Sequence, residues 1–192
     1  MVDAGGSEEF WPHRLKWATE TARMLAEYGV AWFEEPLSPD HFDDFLELRR
    51  LSPVPISTGE ALTRRQSFLR FITAGAVDIV QPDSTKVRGL SEARRIAWAA
   101  LDHGVEFIPH GWNTAVGVAA DLHLLAALPT ARFVEFQVGS PYISTASSLR
   151  RSNSTPKDVS RFRAEPGSGS SLIETQSRVW RSSGRRRRPP DP

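Results

Sequence analysis

Five ionisable residues recur along the chain at a nearly constant interval. They are Glu34, Glu60, Asp83, His110 and Glu135, separated by 26, 23, 27 and 25 residues. Asp3, closing the opening run MVD, stands ahead of them. Carboxylates gathered in one place repel one another unless a cation neutralises them. An all-oxygen set such as Asp3, Glu34 and Glu60 suits magnesium, which prefers octahedral geometry and keeps waters that a substrate can displace. Taken singly, each carboxylate could equally cap the helix after its strand or pair with an arginine. Asp83 and His110, placed on adjacent strands, could hydrogen-bond, the aspartate orienting the imidazole and raising its basicity. Such a histidine can remove a proton next to a carboxylate, although a lone histidine after a proline is as readily structural.

Positioning these groups at one place requires a repeating scaffold. Short apolar runs rich in β-branched and aromatic residues read as buried strands: VAWFEEP (30–36), VPISTGE (54–60), VDIVQPD (77–83), VEFIPH (105–110) and RFVEF (132–136). Between them lie helical spacings, with Leu15, Ala18, Ala22 and Leu25 on one face and Ala93, Ile96, Ala97, Ala100 and Leu101 on another. Gly29 and Gly104 fall where these helices should stop, since glycine accepts the left-handed conformation of a helix end. Strands alternating with helices point to parallel βαβ units. A unit of about 25 residues repeated eight times gives a barrel of roughly 200–250 residues, whose strand ends converge on one mouth. A doubly wound open sheet competes, but gathers its functional groups at a single switch point.

Composition bounds the alternatives. The chain has 192 residues, 40% hydrophobic and 24% charged, the balance of a protein that buries one core. It has no cysteine, which excludes a disulfide framework, a thiol nucleophile and a cysteine-ligated metal, and fits a cytoplasmic location. No run of 18 apolar residues occurs, so no membrane-spanning helix is expected, and MVDAGGSEEFW lacks the pattern of a secretory signal. The net charge of +1 conceals a split: residues 1–149 carry 13 basic and 19 acidic residues, residues 150–192 carry 11 and 4. The division predicts a folded body over 1–143 and a disordered basic tail over 144–192, rich in Ser, Arg, Pro and Gly. Arg185–Arg188 in that tail lack the aromatic partners of a nucleic-acid surface, so no nucleic-acid partner is expected.

WFEEPL, PISTGE, AVDIVQPDSTKVRGL, IPHGWNTAVGVAADLHLLAALP and RFVEF together resemble the enolase superfamily, in the mandelate racemase subgroup of the mandelate racemase and muconate lactonizing enzymes. The resemblance covers residues 1 to about 142. It implies an α/β fold of the TIM type, an eight-stranded β/α barrel, and magnesium-dependent abstraction of the proton α to a carboxylate. By motif, Asp3, Glu34 and Glu60 resemble the metal ligands at the ends of the family's third, fourth and fifth strands, with Glu35 supporting the site. Asp83 and His110 resemble the dyad of the sixth and seventh strands, which points to the racemase and acid-sugar dehydratase side. Glu135 resembles the eighth-strand acid that hydrogen-bonds the substrate carboxylate. Lys86, in an Asp-x-x-Lys pattern, reads as a surface or loop contact and not a base. Trp112 could line the pocket mouth or pack between loops, and GSEEFWPH (6–13) could form a loop there.

The same comparison marks departures. Relatives begin with a capping domain and two further barrel strands, the second bearing a base pair, so this chain is expected to comprise barrel strands three to eight only. Gly5 replaces a common asparagine, and Arg88-Gly89 a common Gly-Gly. AEPGSGSSL lies about where a Pro-Gly-Leu-Gly turn belongs, and a one-base shift of its codons can restore that turn, as an out-of-frame tail would require. The expected function is an acid-sugar dehydratase acting on a small carboxylate substrate with Mg2+, impaired in this truncated chain. The alternatives are a racemase or epimerase of the same family, or a non-catalytic remnant with a basic tail. An intact parent is expected to be a homo-oligomer without a membrane partner.

Overall fold

In the computed structural model, residues 1–5 and 14–136 are described. The 6–13 segment and the tail, including Arg185–Arg188, lie outside them. The chain divides into two compact units, Met1–Trp112 with Ala120–Phe136, and Asn113–Ala119 with Gln137–Pro192. The sheet belongs to the first.

Five parallel strands lie in sequence order: β1 (Val2–Asp3), β2 (Phe33–Glu34), β3 (Ile56–Thr58), β4 (Ile79–Val80) and β5 (Glu106–Phe107). Among the described residues, each connection between successive strands contains one helix: α1 (Leu15–Glu27), α2 (Phe42–Leu51), α3 (Arg65–Ala74) and α4 (Leu90–Asp102). A fifth helix, α5 (Ala115–Leu125), follows β5. Sequential parallel order with helical returns is the arrangement of consecutive barrel staves, so all strand ends face one way. The α/β fold expected from the alternating pattern is present.

The ladders are shorter than the apolar runs. Pro36, Pro82 and Pro109 follow β2, β4 and β5 closely, and proline has no N–H to continue a ladder. The regular ladder gives way here, although the Ile108 and His110 N–H groups still donate to the Val80 and Pro82 carbonyls at 3.1 and 3.2 Å. The expected sixth strand, RFVEF (132–136), is not part of the sheet. Glu135 instead approaches β5's extension through its side chain, accepting a hydrogen bond from the Gly111 backbone N–H at 2.7 Å. A side-chain contact of this kind leaves the backbone without a ladder partner.

The helices pack by the expected faces. Ala18, Ala22 and Leu25 of α1 and Ala93, Ile96, Ala97 and Ala100 of α4 are buried in one apolar core with Phe33, Ile56 and Val80 from the strands. Leu15 and Leu101 are only half-buried, because each sits at the margin of its helix's apolar face. Gly29 (φ 64°) and Gly104 (φ 68°) adopt the left-handed conformation just beyond α1 and α4. In α2, Asp43 and Asp44 fall in the first turn and Arg49 and Arg50 in the last, complementing the helix dipole. Phe71 of α3 receives Phe42 and Phe45 of α2 edge-on, at 5.1 and 5.4 Å between ring centroids. Leu124 and Leu125 are core residues, while Ala126 is exposed beyond the end of α5. Among the described residues no helix is long and apolar enough to cross a membrane.

Candidate active site

The parallel register sets neighbouring acids side by side. Asp3 is paired with Glu34 across β1 and β2, and Glu34 with Ser57 across β2 and β3. Glu60 follows β3 after the turn at Gly59, Asp83 follows β4, and His110 follows β5. Gly59 is required there: its φ is +147°, and a Cβ would lie 2.8 Å from the Gln81 backbone nitrogen. Glu35 fastens the same turn, accepting hydrogen bonds from the Thr58 hydroxyl at 2.8 Å and the Gly59 N–H at 3.2 Å.

His110 is the centre of the arrangement and is almost fully buried. Its Nδ1 lies 3.0 Å from Asp83 Oδ2, forming the expected dyad. Its Nε2 lies 2.7 Å from Glu60 Oε2, a contact the sequence spacing did not indicate. Asp83 is in turn held by the Thr85 N–H at 2.8 Å and the Thr85 hydroxyl at 2.6 Å, both donating to Oδ1. Burial works against ionisation of Asp83, but the hydrogen bonds from His110 and Thr85 prevail and hold its carboxyl down at about 2. Burial likewise disfavours the imidazolium. Bonding to Asp83 and Glu60 outweighs that cost and pushes His110 up to about 10. Glu60 is lowered chiefly by its hydrogen bond to His110.

Glu34 sits behind this layer, 1% exposed. Burial pushes its carboxyl up to about 7; the adjoining Gln81 amide partly offsets this, and the charges of Glu135 and Asp3 add to it. Burial also raises Glu35 and Glu135. Glu135 is kept close by a glycine: a Cβ on Gly111 would fall 2.2 Å from the Glu135 carbonyl oxygen. Asp3 is exposed, its Oδ1 accepting the Gly5 N–H at 2.7 Å.

These groups border a cavity of about 330 Å³ lined by Asp3, Gly5, Glu60, Lys86, His110 and Trp112. Asp3, Glu60 and His110 thus share one space, whereas Glu34, Asp83 and Glu135 do not line it. Trp112, 64% exposed, is on the wall, one of the two positions its sequence context allowed. Lys86, read from sequence as a surface or loop contact, also lines the cavity. The reason is the turn after β4, where the Lys86 and Val87 N–H groups both donate to the Asp83 carbonyl at 2.9 Å. An Asx-type turn brings the fourth residue of Asp-x-x-Lys back over the first, but the spacing alone does not say that a cavity lies there.

Among the described residues no three carboxylate or imidazole groups converge into a ready cage for an ion. Glu60 is turned to His110 and Asp3 to its own backbone. The donor set nonetheless fits a hard cation: it is all oxygen, and Glu34 is raised partly because Asp3 and Glu135 place uncompensated negative charge beside it.

Known proteins resemble the chain over much of its length. The family described as "Enolase C-terminal domain-like" matches residues 1–175. D-galactarolactone cycloisomerase of Agrobacterium fabrum is 42% identical over 103 residues, covering 54% of this chain and 27% of its own. L-talarate/galactarate dehydratase of Salmonella typhimurium is 32% identical over 140 residues, covering 70% and 34%. A crystal structure of a mutant L-talarate/galactarate dehydratase, liganded with Mg and L-glucarate, superposes with a TM-score of 0.63. It is 31% identical and covers 71% of this chain and 32% of that one. The chain spans only about a quarter to a third of the length of the curated relatives it matches. These relatives are enzymes acting on sugar acids or their lactones.

Proposed function

Because the chain belongs to the enolase C-terminal domain-like family, we propose that it carries the proton-abstracting half of an acid-sugar dehydratase. The observation supporting this most directly is the buried Asp83–His110 pair, whose histidine lines the cavity that Asp3 and Glu60 also line.

Asp3, Glu34 and Glu60 would hold magnesium. A divalent cation there would supply positive charge against the substrate carboxylate, making the neighbouring C–H bond more acidic. Asp83 fixes the imidazole, its carboxylate accepting the Nδ1–H and leaving Nε2 as the working nitrogen. Nε2 must lose its proton and its Glu60 contact before it can act as a base. Drawing Glu60 away removes one of the two hydrogen bonds that hold His110 protonated. His110 then takes the α-proton. The electron pair of the C–H bond forms a double bond between the α and β carbons, and the β-hydroxyl leaves with a proton returned from His110, as water. Glu135 lies beside the pair, tied to Gly111, and would donate to a substrate carboxylate in its protonated form.

An isomerase is the second reading, favoured by the 42% identity to a cycloisomerase. Both readings share removal of the α-proton and differ in the fate of the β-hydroxyl. The test is to incubate the full chain with magnesium and galactarate in D2O, tracking the α-hydrogen by NMR and any keto product by mass. Exchange with loss of water supports the dehydratase, and exchange without it the isomerase. An exchange rate equal in wild type and His110→Asn overturns both.

A further inference from the structure

We propose that Lys86 is a specificity residue that binds a second carboxylate on the substrate, so that the site favours a dicarboxylic sugar acid over its monocarboxylic counterpart; this rests on the acid-sugar reading above. Lys86 is the one lysine or arginine among the described residues lining the cavity, whose other ionisable lining groups are Asp3, Glu60 and His110. Its ammonium is 3.9 Å from Asp83 Oδ2, beyond hydrogen-bonding reach. Asp83 already accepts from His110 and twice from Thr85, so the lysine's donors are not needed there.

The position is fixed even though the side chain is 40% exposed. Its backbone N–H donates to Asp83, Gly89 N–H donates to Ser84, and the following Val87 is buried. The turn therefore holds the ammonium at the cavity, while the lysine stem keeps reach toward a bound ligand.

Charge balance defines what the ammonium can meet. Asp3 and Glu60 on the wall oppose any anion entering the cavity. A cation among the carboxylates would answer for one carboxylate of the substrate, beside His110. A second carboxylate at the far end of the same molecule needs its own counter-charge, and Lys86 provides it. The exposed Trp112 ring offers an apolar wall for the carbon chain between the two ends.

The experiment measures binding by calorimetry, in magnesium, of galactarate and of galactonate, which keeps the hydroxyl pattern but has one carboxylate fewer. The full chain is used, as wild type, Lys86→Gln and Lys86→Arg, with folding checked by circular dichroism. Wild type should favour the diacid by about tenfold or more, the scale of one charge-assisted hydrogen bond. Lys86→Gln should bring the ratio of the two dissociation constants near one, and Lys86→Arg should restore most of it. Equal affinities in wild type, or an undiminished ratio in Lys86→Gln, overturn the role of Lys86 and leave the acid-sugar reading standing. Failure of both acids to bind overturns the two together.

Discussion

Replacing Asp83 by asparagine tests the centre of the site, because it keeps the shape of the side chain and removes its charge. His110 is held at about 10 against an ordinary value of 6.5. At about 1.4 kcal/mol per tenfold, that difference is worth about 5 kcal/mol in favour of the imidazolium in the folded chain. Two carboxylates share it, Asp83 on Nδ1 and Glu60 on Nε2, and Glu60 is a third exposed, so solvent weakens its part. Asp83→Asn should therefore cost about 2–3 kcal/mol at pH 6, measured by urea unfolding of the metal-free chain. The raised value sets the sign with pH. Stabilisation by His110 is complete below about 6.5, where the unfolded histidine is also protonated, and is lost as pH rises through about 10. The gap between wild type and variant should shrink over that interval, and the His110 ring signal should titrate lower in the variant. Equal unfolding midpoints at pH 6, or a gap that widens toward pH 10, would refute this role for the dyad.

Other perturbations address separate features. Gly111→Ala would drive a Cβ to within 2.2 Å of the Glu135 carbonyl oxygen, so the unfolding free energy should fall by about 1–3 kcal/mol, with an unchanged urea midpoint counting against the close approach. Arg88 adopts φ 71°, and Arg88→Gly should raise stability by about 0.5 kcal/mol in the same assay, since relief of left-handed strain exceeds the added chain entropy. Magnesium at ten times its dissociation constant should stabilise the wild-type chain by about 1.4 kcal/mol in a thermal melt. Glu60→Gln should abolish most of that gain, and an equal gain in both would exclude Glu60 as a ligand. On the acid side, Asp83 contributes stability above about 3.8 that disappears as pH falls through about 2, so wild type should lose more stability than Asp83→Asn over that range.

The regular interval between Glu34, Glu60, Asp83 and His110 was legible because each βα unit has similar length, and the strand ends it implies are where the structure puts them. The α1 and α4 faces and the glycines after them were also legible, since local periodicity and a left-handed residue depend on near neighbours alone. RFVEF was not. Its apolar alternation matches a strand, but a strand exists only where another backbone supplies its ladder, and here Glu135 meets Gly111 by its side chain instead.

The sequence by itself determined the chemical inventory, the α/β alternation and the pairing of an aspartate with a histidine, because these depend on residue types and repeat length. Only the tertiary structure decided that Glu60 occupies the second ring nitrogen of His110 and that Lys86 joins the cavity wall. Both depend on where turns of a few residues point their side chains across a shared space, and no one-dimensional spacing encodes that direction.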